Sequence, residues 1–222
     1  MLINSQFKVS NPFTEEVNQL LATELNLSCK AERILSNDQL DFPFLYGKYA
    51  FISTPIDPEN DIHLVLDTFL KFSEYPIVVC SSWYKNSYAD AVYSKFHQYR
   101  FIHFLNDDID QRTYNMLRTN CYVYIDSQHQ SDKNNSLLEA MYMQLPVIAF
   151  ASSYNIKLTS NKAMYYKMPT ELLAALKSLH PAKAAKIGAN MKEIIHHKIK
   201  NNQKKPKNQL ATEQLRLQPV KH

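Results

Sequence analysis

From residue 49 onward the chain alternates short runs that are apolar at nearly every position with longer stretches that are apolar on one face only. The runs at 49–53 (Tyr-Ala-Phe-Ile-Ser), 77–81 (Ile-Val-Val-Cys-Ser), 100–105 (Arg-Phe-Ile-His-Phe-Leu), 121–125 (Cys-Tyr-Val-Tyr-Ile) and 146–150 (Pro-Val-Ile-Ala-Phe) predict strands, and a weaker run follows at 163–166. Between them, residues 61–72 carry Ile62, Val65, Leu66 and Phe69 at helical spacing, and further helices are predicted at 88–96, 109–117, 136–141 and 169–179. Asp107, Asp108 and Asp110 mark the start of the helix at 109, where carboxylates favour the positive end of the dipole. A strand that is apolar on both sides must be covered on both sides, whereas a sheet with one wet face would alternate. The pattern therefore predicts an α/β fold, a Rossmann-like doubly wound parallel sheet of five or six strands, over residues 46–200.

The two ends read differently. Residues 1–45 predict a helix and a connector rather than a domain: Asn11-Pro12 opens the helix, Glu15 and Glu16 lie near its positive end, and Val17, Leu20, Leu21 and Leu25 share one face. A helix over 182–200 sets Ile187, Met191, Ile194, Ile195 and Ile199 on one face and Lys186, Lys192, His196 and Lys198 largely elsewhere. Such a helix either closes the sheet or makes a peripheral contact with an anionic membrane; a Rossmann-like sheet needs a cover, which favours the first. Residues 201–222 turn to Asn, Gln, Lys and Pro, too little apolar surface to offset ordering, and predict a basic disordered tail.

Composition narrows the setting. No apolar run approaches the roughly 20 residues that span a bilayer, and the N-terminus lacks the apolar segment of a signal peptide, which points to a cytoplasmic protein. The net charge of +4 is uneven: ten Lys and Arg stand against two Asp and Glu from Lys183 onward, leaving fifteen against nineteen before it. The basic tail reads as a solvated end, so no nucleic-acid partner is expected. Cys29, Cys80 and Cys121 are too far apart for a metal pair, and Cys80 and Cys121 fall in strands as buried thiols, so no metal site is expected.

Chemistry concentrates between 121 and 150. A strand that feeds a helix through an open loop turns the first N–H groups of that helix outward, where they and the dipole attract phosphate, and ligands of open parallel sheets sit beside such loops. Here the candidates are the backbone at Ser136, Leu137 and Leu138, with Glu139 one turn in. A structural alternative stands beside this: if Ser136 is the N-cap, Ser-x-x-Glu is a capping box in which Ser136 and Glu139 satisfy each other's backbone N–H. Only Gly47 and Gly188 occur in the chain, although phosphate-cradling loops usually depend on glycine.

The segment Ser136-Leu-Leu-Glu-Ala-Met-Tyr-Met-Gln-Leu-Pro-Val-Ile-Ala-Phe150 resembles the signature of retaining GT-B glycosyltransferases, a Glu-Ala-Met helix followed by a Leu-Pro-Val-Ile strand. Pro58-Glu-Asn60 and Asn134-Asn-Ser-Leu-Leu-Glu139 are similar to the bacterial rhamnosyltransferase-like branch, and the likeness extends over about 49–179. The resemblance implies a single GT-B half-domain, the C-terminal one that binds the nucleotide-sugar donor. It implies Glu139 on the ribose hydroxyls and the helix N-terminus on the diphosphate, with Asn134 lining the sugar pocket. Lys133 and His129 are the loop groups that could serve as cations. No cofactor is implied beyond the nucleoside diphosphate sugar as donor substrate, and no catalytic residue is assigned.

The sequence departs from that pattern in several places. Ser131 stands eight positions before Glu139 where the family has a second acid, the loop from Gln128 to Asn135 has no glycine, and residues 53–60 contain no Lys or Arg. Gln144 occupies the usual glycine at the helix end, which costs about 1 kcal/mol if that position is left-handed. GT-B enzymes react between two such domains, and 45 irregular residues cannot supply the second. Two readings follow. The chain is either the donor half of a cytoplasmic or membrane-associated transferase of polysaccharide biosynthesis, moving a hexose or deoxyhexose to a glycan or lipid-linked acceptor with a second domain or partner chain, or a non-catalytic GT-B-like module that stabilises or targets a partner glycosyltransferase.

Overall fold

The structure, a computed structural model, describes residues 42–45, 47–81, 86–106, 108–129 and 135–203. The helix expected near Asn11, Cys29, the loop residues Lys133 and Asn134, and the tail from 204 onward lie outside the described residues.

Every apolar run forms a strand: β1 (Ala50–Ser53), β2 (Ile77–Ser81), β3 (Ile102–Asn106), β4 (Val123–Asp126), β5 (Val147–Phe150) and β6 (Met164–Tyr166). They make one all-parallel sheet in the order β3-β2-β1-β4-β5-β6. The register pairs Ala50 with both Ile77 and Val123, so β1 is central, with Ala50, Phe51 and Ile52 fully enclosed. β2 is buried at all five positions, which explains why it shows no polar alternation.

The helices are α1 (Ile62–Phe69), α2 (Ser87–Phe96), α3 (Gln111–Thr119), α4 (Asn135–Tyr142), α5 (Ser153–Leu158), α6 (Pro169–Ser178) and α7 (Pro181–Gln203), with a 3-10 turn at Pro58–Asn60. Local chemistry sets their starts. Asn86 accepts the Ala89 N–H at 2.8 Å to cap α2, and Asp110 accepts the Thr113 N–H at 3.0 Å to cap α3. α6 opens with Pro169, and Glu171 accepts the Met168 N–H at 3.2 Å. α5 had no signal of its own: it is six residues long with only Asn155 and Leu158 buried, too short to show a period.

α7 settles which side its isoleucines face. Ala184, Ile187, Met191, Ile194, Ile195 and Ile199 are buried, and the helix packs against α4 and β5, closing the sheet. No helix among the described residues is long and apolar enough to cross a membrane. Cys80 and Cys121 are free and buried, and burial pushes the Cys121 thiol well above its ordinary pKa. Phe44 and Leu45, on the connector side of the expected boundary, are themselves part of the core, with the Phe44 ring 5.1 Å from Tyr49 and 4.5 Å from His103.

Candidate functional site

Strand order reverses between β1 and β4, and it is beside the C-terminal ends of the strands at such a switch point that open α/β sheets have their ligand-binding crevice. One wall is the β1–α1 loop. Thr54 is buried, Asn60 Nδ2 donates to the Pro55 carbonyl at 3.0 Å, and Asn86 Nδ2 donates to the Ile56 carbonyl at 2.9 Å, so both of these amides hold the loop in place. The Pro58-Glu-Asn60 segment forms the 3-10 turn, and Asp61 follows in the left-handed region at φ 47°.

The other wall is the β4–α4 connection. Asp126 and Ser127 are buried at the end of β4, and Ser127 Oγ has no hydrogen-bond partner among the described residues. Asn155 is buried beside them: its Nδ2 lies 2.8 Å from Asp126 Oδ2, 3.0 Å from the Gln128 carbonyl and 3.1 Å from the Phe150 carbonyl, tying the ends of β4 and β5 together. Sequence reasoning had no signal for this clamp, because α5, which carries Asn155, was itself invisible.

His129 does not sit as a solvated loop residue. Its ring stacks on Phe150 with centroids 3.6 Å apart, and its Nε2 lies 3.2 Å from Asp61 Oδ2, across the crevice and off the line of a good hydrogen bond. The two walls therefore touch through a histidine and a carboxylate.

Helix α4 is described over Asn135–Tyr142, so Ser136 lies inside the helix rather than at its cap. Glu139 is then in the second turn, and its side chain goes to a residue that the sequence reading did not single out. Arg118 Nη1 donates to Glu139 Oε2 in a short ion pair in which Arg118 is fully enclosed and Glu139 is 26% exposed. Arg118 Nη2 donates to Asn115 Oδ1 at 3.0 Å, the same oxygen receives Gln111 Nε2 at 3.0 Å, and the guanidinium lies 4.6 Å from the Tyr114 ring centroid. Burial by itself lowers the pKa of Arg118, but Tyr114 and Glu139 outweigh it and hold the guanidinium charged. Burial also raises the Tyr114 hydroxyl above its ordinary value. The available signal was a polar stripe, Gln111, Asn115 and Arg118 at i, i+4 and i+7, which reads as a solvent face when only the sequence is in hand.

The remaining expected site residues fall as follows. The side chains of Leu137 and Leu138 are wholly in the core, so any part they take in binding is through their backbone, while Ser136 is half-buried. Gln144 is left-handed, at φ 63°, within a Schellman ending in which Leu145 N–H bonds the Ala140 carbonyl at 3.0 Å and Gln144 N–H the Met141 carbonyl at 3.1 Å. Gly188 of α7 lies against it: a Cβ there would come within 2.2 Å of the Gln144 carbonyl oxygen. Among the described residues no cluster of three His, Cys, Asp or Glu could hold a metal ion.

No family model and no curated protein matches the chain. Solved structures do. Trehalose-6-phosphate synthase from E. coli, bound with UDP-2-fluoro glucose, superposes with a TM-score of 0.64 at 13% identity over 89% of this chain and 50% of its own. Sucrose-phosphate synthase from Thermosynechococcus elongatus gives 0.65 at 16% identity over 82% and 48%, and Anabaena HepE, in complex with UDP and glucose, gives 0.61 at 13% over 90% and 52%. The fold is thus that of one half of the two-domain GT-B glycosyltransferases, and the chain spans about half the length of these structures.

Proposed function

We propose that this chain is the donor-binding half of a glycosyltransferase that moves a hexose or deoxyhexose from a nucleoside diphosphate sugar to a glycan or lipid-linked acceptor, completed by a second domain or a partner chain. The observation that supports the reading is the strand reversal at β1/β4, with α4 following β4 in the chain, in a fold shared with structures bound with UDP-2-fluoro glucose or in complex with UDP and glucose. In this reading the diphosphate meets the helix N-terminus at Ser136, Leu137 and Leu138, Glu139 accepts from the ribose, Asn134 would line the sugar pocket and Lys133 would be a candidate cation. Catalysis of this kind is positioning and stabilisation of the departing diphosphate, and it needs no further cofactor. Assignment to the rhamnosyltransferase-like branch rests on the sequence pattern alone. The setting proposed is the cytoplasm, in polysaccharide biosynthesis. Because α7 turns its apolar face to the sheet, a membrane contact would be left to its exposed lysines.

The second reading, a non-catalytic module that stabilises or targets a partner transferase, is favoured by one feature. The β1–α1 loop presents Asp57, Glu59 and Asp61 and no Lys or Arg to the place where a diphosphate would lie. Thermal unfolding with UDP, GDP and TDP sugars separates the two. The donor-binding reading expects stabilisation of about 2.7 kcal/mol at a hundredfold excess over the dissociation constant, lost in Glu139→Ala. No shift with any of them at millimolar concentration would leave the partner-module reading.

A further inference from the structure

We propose that Arg118 is a positioning residue for nucleotide recognition: enclosed behind Glu139, it holds one carboxylate oxygen and leaves the other to accept from a ribose hydroxyl. The inference rests on the donor-binding reading. Its basis is the asymmetry of the pair, with a fully enclosed guanidinium at one end and a carboxylate that reaches solvent at the other.

A buried ion pair is a poor device for stability alone, because desolvation offsets most of the attraction and apolar residues of similar volume serve as well or better. The pair here is also incompletely satisfied, since Arg118 Nε is enclosed without a hydrogen-bond partner among the described residues. What the arrangement does supply is a fixed geometry. Nη1 points to Glu139, Nη2 to Asn115, and Asn115 is held in turn by Gln111, so the planar fork cannot rotate without breaking two bonds. Glu139 keeps a quarter of its side chain exposed while Arg118 behind it is enclosed. With Oε2 engaged by Arg118, Oε1 is the oxygen available for a donor. The same pairing neutralises the carboxylate, so that an anionic ligand at the start of α4 does not meet an uncompensated charge.

The test is binding of UDP against 2′-deoxy-UDP, and GDP against 2′-deoxy-GDP, to the full chain by calorimetry. Wild type should prefer the ribonucleotide of at least one pair by about tenfold, the loss expected for one hydrogen bond to a charged group. Glu139→Gln and Arg118→Met should each abolish that preference, and the double variant should lose no more than either single one. Arg118→Lys keeps the charge but not the fork and should restore only part of it. If Arg118→Met does not fold by circular dichroism, Arg118→Lys carries the test through the same ratio. A variant of Arg118 that weakens ribo- and deoxynucleotide equally, or keeps the preference that Glu139→Gln loses, overturns the positioning role while leaving donor binding intact. Wild type that binds none of the four nucleotides overturns both.

Discussion

At its start, helix α4 lies beside a crevice and is anchored through Glu139 to a buried arginine; at its end it turns through a left-handed glutamine against which a neighbouring helix has given up its side chain. The first anchor is electrostatic and directional, and the second is steric. The usual solution at a helix end places glycine in the turn. Here Gln144 takes the left-handed conformation and glycine appears instead at position 188, where α7 comes too close to the Gln144 carbonyl for any Cβ. The other end carries a buried charge pair, a device that gives direction more readily than stability.

The contrast can be broken most strongly at Arg118. Arg118→Met leaves Glu139 without its buried partner and should lower the unfolding free energy by about 3 kcal/mol, whereas Arg118→Met with Glu139→Gln removes both charges and should recover most of the loss; denaturant unfolding at constant slope reads both. A double variant as unstable as the single one would show that the pair is needed for packing. Next, Gly188→Ala should cost about 2 kcal/mol through overpacking against the Gln144 backbone, with nucleotide affinity unchanged. Gln144→Gly should gain about 1 kcal/mol by relieving the left-handed turn, and it should not rescue Gly188→Ala, because the clash is with a backbone oxygen. The smallest effect concerns the start of α3, the helix that carries Arg118. Thr113 holds the Asp110 carboxylate below its ordinary pKa, first through its hydroxyl and then through its N–H. Asp110 therefore adds stability above the unfolded carboxylate value near 3.9 and loses it as pH falls through the folded value. Asp110→Ala should lower the melting temperature at pH 7, and the deficit should shrink as the pH is taken below about 4.

Much of this architecture was legible because it depends on local pattern. β2 reads as Ile-Val-Val-Cys-Ser and is buried throughout, and the stripe Ile62, Val65, Leu66 and Phe69 is the buried face of α1. Asp110 marked a helix start because capping is a property of a few adjacent residues. The candidate site was legible only in part. Glu139 and the α4 start stood out from the chain, but the cap reading placed Ser136 one residue outside the helix, and Arg118 gave no sign of burial. A guanidinium is predicted to be exposed unless its partner is known, and that partner is 21 residues away. His129 raised the same difficulty, since its stacking on Phe150 and its approach to Asp61 join the β4–α4 loop, the end of β5 and the start of α1.

The sequence by itself determined the alternation, the parallel sheet and the helix whose isoleucines needed a cover, because hydrophobic burial acts on the period of side chains along each element. Only the tertiary structure decided that β1 and β4 lie side by side with their loops parting, that α7 requires glycine where it crosses the end of α4, and that Glu139 shares a buried arginine. Those facts depend on which elements become neighbours, and the free energies of desolvation and close contact that govern them exist only once the neighbours have met.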